Sequence, residues 1–462
     1  MGDSGNATNA IETLMTGTAA RPLLIAGMPG AGKTTLAYRT LLDALRRFGD
    51  DGAVMCVPNR TLGSKLSDMA IRELGALAQA RPVTTLSALA FRIIAADRSF
   101  LKLPTPKLLN GAEQDALLRQ VLAVHLGHAV SGDLCDTCRL LRYYFAQDDW
   151  AGAVAPGLRT GDASSSTTAA MLENGISPSF IGQLRDMLAR MDELGVTPER
   201  ENELLDAPRH LPQGDWRDAE RMTVQWRLAF ALRDEYAQAL ANKYPDEYRL
   251  DASKLLVEGA TALERETGGN ADSRFDGTVP GMLIVDDFQD TTLAGLRFIE
   301  TLHDRGTRIM LAGNPDESVQ TFRGSYPEYL FDRARQGALQ AQLIELDDTR
   351  NAGTQAPDQR TLVAARVSLS IASSEPNPLP IPRRPGKMPA YQGTWPISKT
   401  KQTDDSLRTA IYRSPREELD DVVWRIKRSH LDHGAEWNDM AVIAHDNATV
   451  RQFGERLRRD GV

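Results

Sequence analysis

The chain has 462 residues and a net charge of −8, which is enough length for two or three domains. Its 42% apolar and 25% charged residues are typical of a globular protein, and no apolar run reaches the ~18 residues of a membrane span. A polar N-terminus and only three cysteines argue against a secretory signal and a disulfide scaffold, so we expect a reduced, cytoplasmic protein without a membrane partner.

The first part of the chain, residues 1–105, alternates between predicted strands and helices, as in a parallel sheet built from βα units. Strands are expected at 22–26, 53–57 and 82–85, and the first is followed by a glycine-rich turn and a helix over 34–48. The second part, 106–274, is mostly helical in its apolar spacing.

Strand–helix alternation then resumes, with a strand at Met282–Val285, a helix at 292–303 and a strand at 308–312. A further α/β region is predicted from 343, with strands at 409–412 and 441–444 and helices at 415–431 and 448–459. We therefore assign 1–105 and 275–342 to one α/β domain, 106–274 to a helical insertion, and 343–462 to part of a second α/β domain.

GMPGAGKTT at 27–35 fits the phosphate-loop pattern G-x-x-x-x-G-K-[ST], with a predicted strand before it and a helix after it. Backbone N–H groups of such a loop surround phosphate oxygens, so Lys33 is expected to reach the β and γ phosphates and Thr34 to hold Mg²⁺. The alternative is a glycine-rich turn without a ligand. The candidate nucleotide-binding residues of the loop are Gly27, Met28, Pro29, Gly30, Ala31, Gly32, Lys33, Thr34 and Thr35.

LIVDDFQDTT at 283–292 predicts a buried strand that ends in two carboxylates. In a sheet that contains the phosphate loop, Asp286 is placed to bind Mg²⁺ through water. The alternative is a solvated acidic turn at the end of a strand.

These motifs, followed by LAGNPDESVQTFRGS (311–325) and LDDTRN (346–351), resemble in order those of the UvrD/Rep-like superfamily 1 DNA helicases. VPNRTLGSKLSDMA (57–70) and VTTLSALAFRII (83–94) are similar to the motifs between the phosphate loop and the insertion. The segment 106–122 further resembles AdnA-type subunits of actinobacterial helicase–nucleases. The resemblance implies two RecA-like domains that bind Mg-ATP between them and drive movement 3′ to 5′ on single-stranded DNA.

The resemblance also implies roles for single residues. Asp286 takes the metal-carboxylate role, Arg350 reaches the γ-phosphate, and Phe322 stacks on a DNA base, a contact worth ~1–3 kcal/mol. Arg323 is placed at a DNA backbone phosphate. Asn59 and Thr85, in the two motifs that follow the phosphate loop, are assigned to DNA binding.

The sequence departs from the family where ATP hydrolysis is controlled. Asp287 stands where the family has the glutamate that activates water, and its shorter stem predicts slower hydrolysis, because a base must lie within hydrogen-bond reach of the water. Glu317 replaces a γ-phosphate-sensing glutamine, which puts a carboxylate near a phosphate. The other departures are Asn314 for aspartate, Thr349 for tyrosine, Ser87 for histidine and the lack of an adenine-reading glutamine in 7–15.

Three functional hypotheses follow. The chain is a slow or partner-dependent ATPase of a DNA translocase, or a non-catalytic subunit that holds nucleotide and DNA beside a helicase–nuclease partner. A phosphate-loop ATPase or kinase of another family is the third, and FQDTT and FRGS argue against it. Because the chain ends before the last two motifs of the family, we do not expect it to unwind duplex DNA by itself.

HLGHAVSGDLCDTC at 125–138 contains two closely spaced pairs of metal-ligand residues, His125 with His128 and Cys135 with Cys138. Two imidazoles and two thiolates can bind tetrahedral Zn²⁺, and the spacing within each pair places both residues on one helical face. The alternative is a helix end and a helix start with unconnected side chains, since the pairs are nearer in sequence than in most zinc sites and the family requires no metal here.

Overall fold

The computed structural model describes residues 2–17, 21–27, 29–49, 52–75, 82–146, 165–206, 216–265, 274–319, 326–346, 410–444 and 446–461. The strands are β1 Leu23–Ala26, β2 Ala53–Cys56, β3 Val83–Thr84, β4 Pro106–Leu108, β5 Tyr248–Leu250, β6 Met282–Val285, β7 Arg308–Gly313 and β8 Gln342–Glu345. The α-helices up to residue 206 are α1 Gly2–Thr16, α2 Lys33–Phe48, α3 Arg60–Leu74, α4 Leu86–Phe100, α5 Gly111–Ser131, α6 Asp136–Ala146, α7 Ser165–Gly175, α8 Pro178–Glu193 and α9 Glu201–Asp206. The later ones are α10 Trp216–Lys243, α11 Leu255–Glu264, α12 Leu293–Asp304, α13 Pro327–Gln336, α14 Pro415–His433 and α15 Asn447–Arg459.

Six strands form one parallel sheet in the order β3-β2-β6-β7-β1-β8. The side chains of β1, β2 and β6 are buried on both faces, as continuous apolar strands such as Leu23–Ala26 and Met282–Val285 require. The predicted α/β fold class with a parallel sheet is therefore confirmed, and the strand expected at Met282–Val285 has the same bounds in the structure.

Helices cover both faces of this sheet. One face packs against α1, α2 and α3, and the other against α4, α11, α12 and α13. Helix α1 was not predicted from the sequence, and its Ala7, Ile11 and Leu14 are buried in the first of these layers. None of the helices in the described ranges is both long and apolar enough to cross a lipid bilayer.

The predicted helical insertion has a hydrophobic core of its own. Its buried residues come from the helices between Leu109 and Tyr236, and Tyr244 packs against them. Helix α11 lies inside the predicted range of 106–274, yet it packs on α4 and α12, and its Leu255 and Leu263 belong to the core of the sheet. The insertion therefore ends before α11, because the apolar face of that helix is covered by the sheet layer.

The domain boundary expected at 342 also differs from the structure. Strand β8 pairs in parallel with β1, in the register Leu24 with Leu343, and so it is the edge strand of the same sheet. The sequence gives no local signal for this pairing, because β1 lies more than 300 residues before β8.

Residues 410–461 belong to a second compact unit. Its two helices, predicted at 415–431 and 448–459, form as α14 and α15, and Val423 and Phe453 are buried between them. The strands predicted at 409–412 and 441–444 are wrong for the described residues 410–412 and 441–444, which are not in strands. Ile411 is 100% and Ile443 93% exposed, and neither segment pairs with a strand of the described residues.

Helix α11 makes a close approach that depends on glycine. A Cβ added at Gly259 would lie 2.9 Å from both Ala90 Cβ and Phe298 Cε2, whereas a Cβ at Gly127 in α5 would meet nothing within 4 Å. We expect Gly259→Ala to lower the free energy of unfolding by ~1–3 kcal/mol through overpacking, and Gly127→Ala to raise it by ~0.5–1 kcal/mol through helix propensity. Urea unfolding of both variants measures the difference, and a stabilised Gly259→Ala would contradict the close packing.

Candidate functional site

The carboxyl ends of three neighbouring strands, β6, β7 and β1, meet at one edge of the sheet. The glycine-rich loop follows β1, the two aspartates follow β6, and the segment from Asn314 to Glu317 follows β7. Ligands of open parallel sheets bind at this edge, so the fold alone brings the three predicted motifs together.

Two glycines of the loop after β1 have backbone conformations that other residues rarely adopt. Gly30 and Gly32 have φ of 80° and 91°, a region that favours glycine, and a Cβ at Gly27 would lie 3.0 Å from Ala31 Cβ. Helix α2 begins after Gly32 without a side-chain cap and without an acidic residue in its first turn. A helix start without a capping or acidic side chain is favourable for an anion.

The Lys33 side chain is buried and points back over this loop. Its ammonium donates to the Gly27 carbonyl at 2.9 Å and to Glu317 Oε2 at 2.7 Å. The ion pair is mostly shielded from water, with side-chain exposures of 8% for Lys33 and 30% for Glu317. Glu317 thus forms an ion pair with the Lys33 ammonium group, which a bound phosphate would also need.

Asp286 is a buried carboxylate directly after β6. Burial raises its pKa to about 6, and the nearby Asp287 charge adds to the rise, while Thr34, the Asp287 amide and Lys33 lower it. Neither carboxylate oxygen has a hydrogen bond of normal geometry within the described residues. An ionised carboxylate without such partners is costly, and a divalent cation with its water would relieve that cost. The residues present therefore fit Mg²⁺, with Asp286 and the exposed Thr34 at the first turn of α2 to hold it.

Asp287 has a left-handed backbone conformation, with φ 52° and ψ 46°. Gln289 Nε2 donates to Asp287 Oδ1 at 3.0 Å, and the Asn314 N–H donates to Gln289 Oε1 at 3.0 Å. Gln289 therefore orients Asp287 and links the end of β6 to the end of β7. Gly313 leaves the room for it, because a Cβ there would lie 2.4 Å from Gln289 Oε1.

A second set of bonds holds the segment that carries Glu317. Asp290 Oδ1 accepts from the Val319 N–H at 2.9 Å and from Ser318 Oγ at 3.2 Å. The short helical turn after β6 therefore fixes the two residues that follow Glu317, the Lys33 partner. Gln289 and Asp290 were not among the predicted site residues, although both lie in the quoted segment LIVDDFQDTT.

Two residues assigned to DNA binding have structural roles. Asn59 Oδ1 accepts from the Leu62 N–H at 2.9 Å and caps α3, and Thr85 Oγ1 accepts from the Ala88 N–H at 3.2 Å and caps α4. Thr85 also lines a cleft beside Asp286 and Asp287 at the same edge of the sheet. Four of the predicted site residues, Met28, Phe322, Arg323 and Arg350, lie outside the described residues.

The histidine and cysteine pairs of the insertion do come together. The metal-ligand atoms of His125, His128, Cys135 and Cys138 all lie within 4.8 Å of one another. Glu235 of α10 contacts His125 as well, a neighbour that no local sequence pattern indicated.

The comparison with known protein families gives a match that includes the three segments at this edge of the sheet. The profile of the UvrD/REP helicase N-terminal domain matches residues 8–336, which include the glycine-rich loop, the two aspartates and the segment after β7. A search of curated proteins found no significant match.

The buried carboxylate of Asp286 gives a pH-dependent prediction. Its pKa in the folded protein is about 6, above the ordinary 3.8. Ionisation of Asp286 therefore destabilises the folded protein fully above about pH 6 and not below about pH 4. Asp286→Asn should therefore stabilise the metal-free protein by on the order of 2 kcal/mol at about pH 7.5 and by less at about pH 5.

Urea unfolding at the two pH values measures this gain. Asp43→Asn, at an exposed position on α2, is the matched control and should change stability little at either pH. An equal gain from Asp286→Asn at both pH values would contradict the assignment, because the effect would then not depend on ionisation.

Proposed function

Because the chain belongs to the UvrD/REP helicase family, we propose that it is the ATP-binding motor region of a helicase or translocase that moves 3′ to 5′ on single-stranded DNA in repair or recombination. The observation that carries this proposal is the convergence of Lys33 and Asp286 at one edge of the parallel sheet. One group is a buried cation beside a helix N-terminus that no side chain caps, and the other is a buried carboxylate that fits a metal ion.

Nucleotide binding is proposed at the loop from Gly27 to Thr35. The N–H groups at the start of α2, where no side chain caps the helix, would receive phosphate oxygens, and Lys33 would bind the β and γ phosphates. Mg²⁺, held by Thr34 and through water by Asp286, would offset phosphate charge when bound. Arg350 is proposed to reach the γ-phosphate from the far side of the cleft.

Hydrolysis is proposed to use Asp287 as the base that orients and activates water. Its Oδ1 accepts from Gln289, so the carboxylate is directed by a buried side chain and not by solvent. The shorter stem of aspartate, compared with the family's glutamate, leaves the base farther from the water. A misplacement of ~1 Å can cost on the order of 100-fold in rate, so we expect slow turnover.

Single-stranded DNA is the proposed partner of the same domain. Phe322 would stack on a base, and Arg323, Asn59 and Thr85 would contact the strand. Asn59 is exposed at the start of α3, so its cap role leaves other atoms of the residue accessible. A net charge of −8 predicts a local contact surface and not a wholly basic face.

The second candidate is a non-catalytic subunit, of the AdnA type or another, in a helicase–nuclease complex. The Lys33–Glu317 ion pair and the Asp287 substitution favour it, because both weaken the steps that use the nucleotide and leave the fold intact. In this function the chain would hold nucleotide and DNA while a partner subunit hydrolyses ATP.

Calorimetric titration with Mg-ATP, followed by an assay of phosphate release with and without single-stranded DNA, tests the two candidates. We expect saturable binding that Lys33→Ala abolishes, and turnover stimulated by DNA that Asp287→Glu raises by ~10–100-fold. If both the unchanged chain and Asp287→Glu bind Mg-ATP but neither hydrolyses it, the result would favour the non-catalytic subunit. Affinity for Mg-GTP similar to that for Mg-ATP would support the loss of adenine reading, and no binding of either would overturn both candidates.

The ion pair with Glu317 gives a gain-of-affinity prediction. Glu317→Gln removes the carboxylate that competes with phosphate for Lys33, so Mg-ATP should bind about fivefold more tightly, the equivalent of ~1 kcal/mol. Glu264→Gln, which breaks the exposed pair with Arg297, is the matched control and should leave the affinity unchanged. Weaker binding by Glu317→Gln would show that Glu317 assists the nucleotide site.

A further inference from the structure

Four metal-ligand side chains converge at the junction of α5 and α6. His125 and His128 lie in the last turns of α5, Cys135 precedes α6, and Cys138 lies in its first turn. His125 Nδ1 is 3.4 Å from Cys135 Sγ and 3.5 Å from Cys138 Sγ, and His128 Nδ1 is 3.9 Å from Cys138 Sγ. The two sulfur atoms are 3.3 Å apart.

These separations are those of ligands around one ion. With Zn–S bonds of ~2.3 Å and Zn–N bonds of ~2.0 Å, the edges of a tetrahedral S₂N₂ site measure about 3.3–3.8 Å. We propose that His125, His128, Cys135 and Cys138 bind one structural Zn²⁺ that joins α5 to α6 in the helical insertion.

A neighbouring carboxylate supports the ligand role of His125. Glu235 Oε2 lies 2.5 Å from His125 Nε2, and Thr137 Oγ1 donates to Glu235 Oε1 at 2.7 Å. When Nε2 carries the hydrogen that Glu235 accepts, the lone pair of the neutral imidazole is on Nδ1, the atom that faces both sulfurs. This arrangement of carboxylate, histidine and metal is common around zinc and fixes the ring orientation.

The cysteines are also arranged for a metal. The Cys138 N–H donates to Cys135 Sγ at 3.4 Å, a bond that stabilises a thiolate. Thiolate and imidazole ligands select zinc over Mg²⁺ or Ca²⁺, and ligand atoms this close together suit one ion and not an iron–sulfur cluster with two metals. The 3.3 Å between the sulfurs is well above the ~2 Å of a disulfide bond.

Burial indicates a structural and not a catalytic ion. His125 is 2% exposed and Cys138 0%, and four protein ligands leave no open coordination position. Through Glu235 the site also reaches α10, so one ion would connect three helices of the insertion. Because the insertion has its own core, this stabilisation would act on the insertion directly.

Metal analysis of the full chain, purified without a histidine tag and without chelator, tests the proposal. We expect about one equivalent of zinc per chain, and less than about a tenth of an equivalent in Cys138→Ser and in His128→Ala. Matched controls are Cys56→Ala, at a cysteine in β2, and His433→Ala, at an exposed histidine in the second unit; both should keep the zinc.

Cobalt substitution of the unchanged protein keeps the test independent of variants that fail to fold. Co²⁺ should give the intense visible bands of a tetrahedral ion together with thiolate-to-cobalt charge transfer. Three results would each overturn the proposal: a zinc-free protein, the weak spectrum of octahedral cobalt, or a Cys135–Cys138 disulfide in protein kept under reducing conditions. Equal zinc in wild type and in the ligand variants would overturn it as well.

Discussion

The ammonium group of Lys33 organises the charged side chains at the edge of the sheet where nucleotide binding is proposed. It is buried, it bonds to the carbonyl at the start of its own loop, and it lowers the pKa of Asp286 across the cleft. Its third neighbour is Glu317, on the segment after β7. A cation enclosed in this way needs a negative partner, because an unpaired buried charge is costly. In this chain a side chain supplies that partner where a phosphate would otherwise do so.

The same edge contains two carboxylates with different environments. Asp286 is enclosed and lacks normal hydrogen bonds among the described residues, whereas Asp287 is partly exposed and oriented by Gln289. The environment of Asp286 therefore suits a metal ion that takes the place of water around the carboxylate. The environment of Asp287 suits a base that needs a fixed orientation. Gln289 couples this arrangement to β7, so the geometry of the proposed base depends on the space left by Gly313.

The helical insertion is stabilised by contacts that are separate from those of the sheet. Its helices surround their own apolar core, while the polar cluster at the α5–α6 junction lies among buried groups. The cluster consists of two thiols and two imidazoles. As ligands of one ion they would fix the angle between two helices, and Glu235 would extend that constraint to a third helix. The motor site and this cluster share no residues.

The sequence by itself determined the elements and the chemistry that depend on local patterns. The phosphate-loop spacing, the buried strand at Met282–Val285 and the paired histidines and cysteines are short-range signals. In the structure a helix begins at Lys33, the strand has the expected bounds, and the four metal-ligand side chains lie together. The order of the motifs also identified the helicase family, which the match over residues 8–336 confirms.

Only the tertiary structure decided which side chains meet. Glu317 pairs with Lys33 from 284 positions away, and β8 joins the sheet beside β1, because the sheet order and not the chain order sets these neighbours. The packing of α1, the place of α11 on the sheet and the Glu235 contact had no local signal for the same reason. The segments 410–412 and 441–444 show the converse: their apolar pattern predicted strands, yet neither is in a strand or paired with one among the described residues.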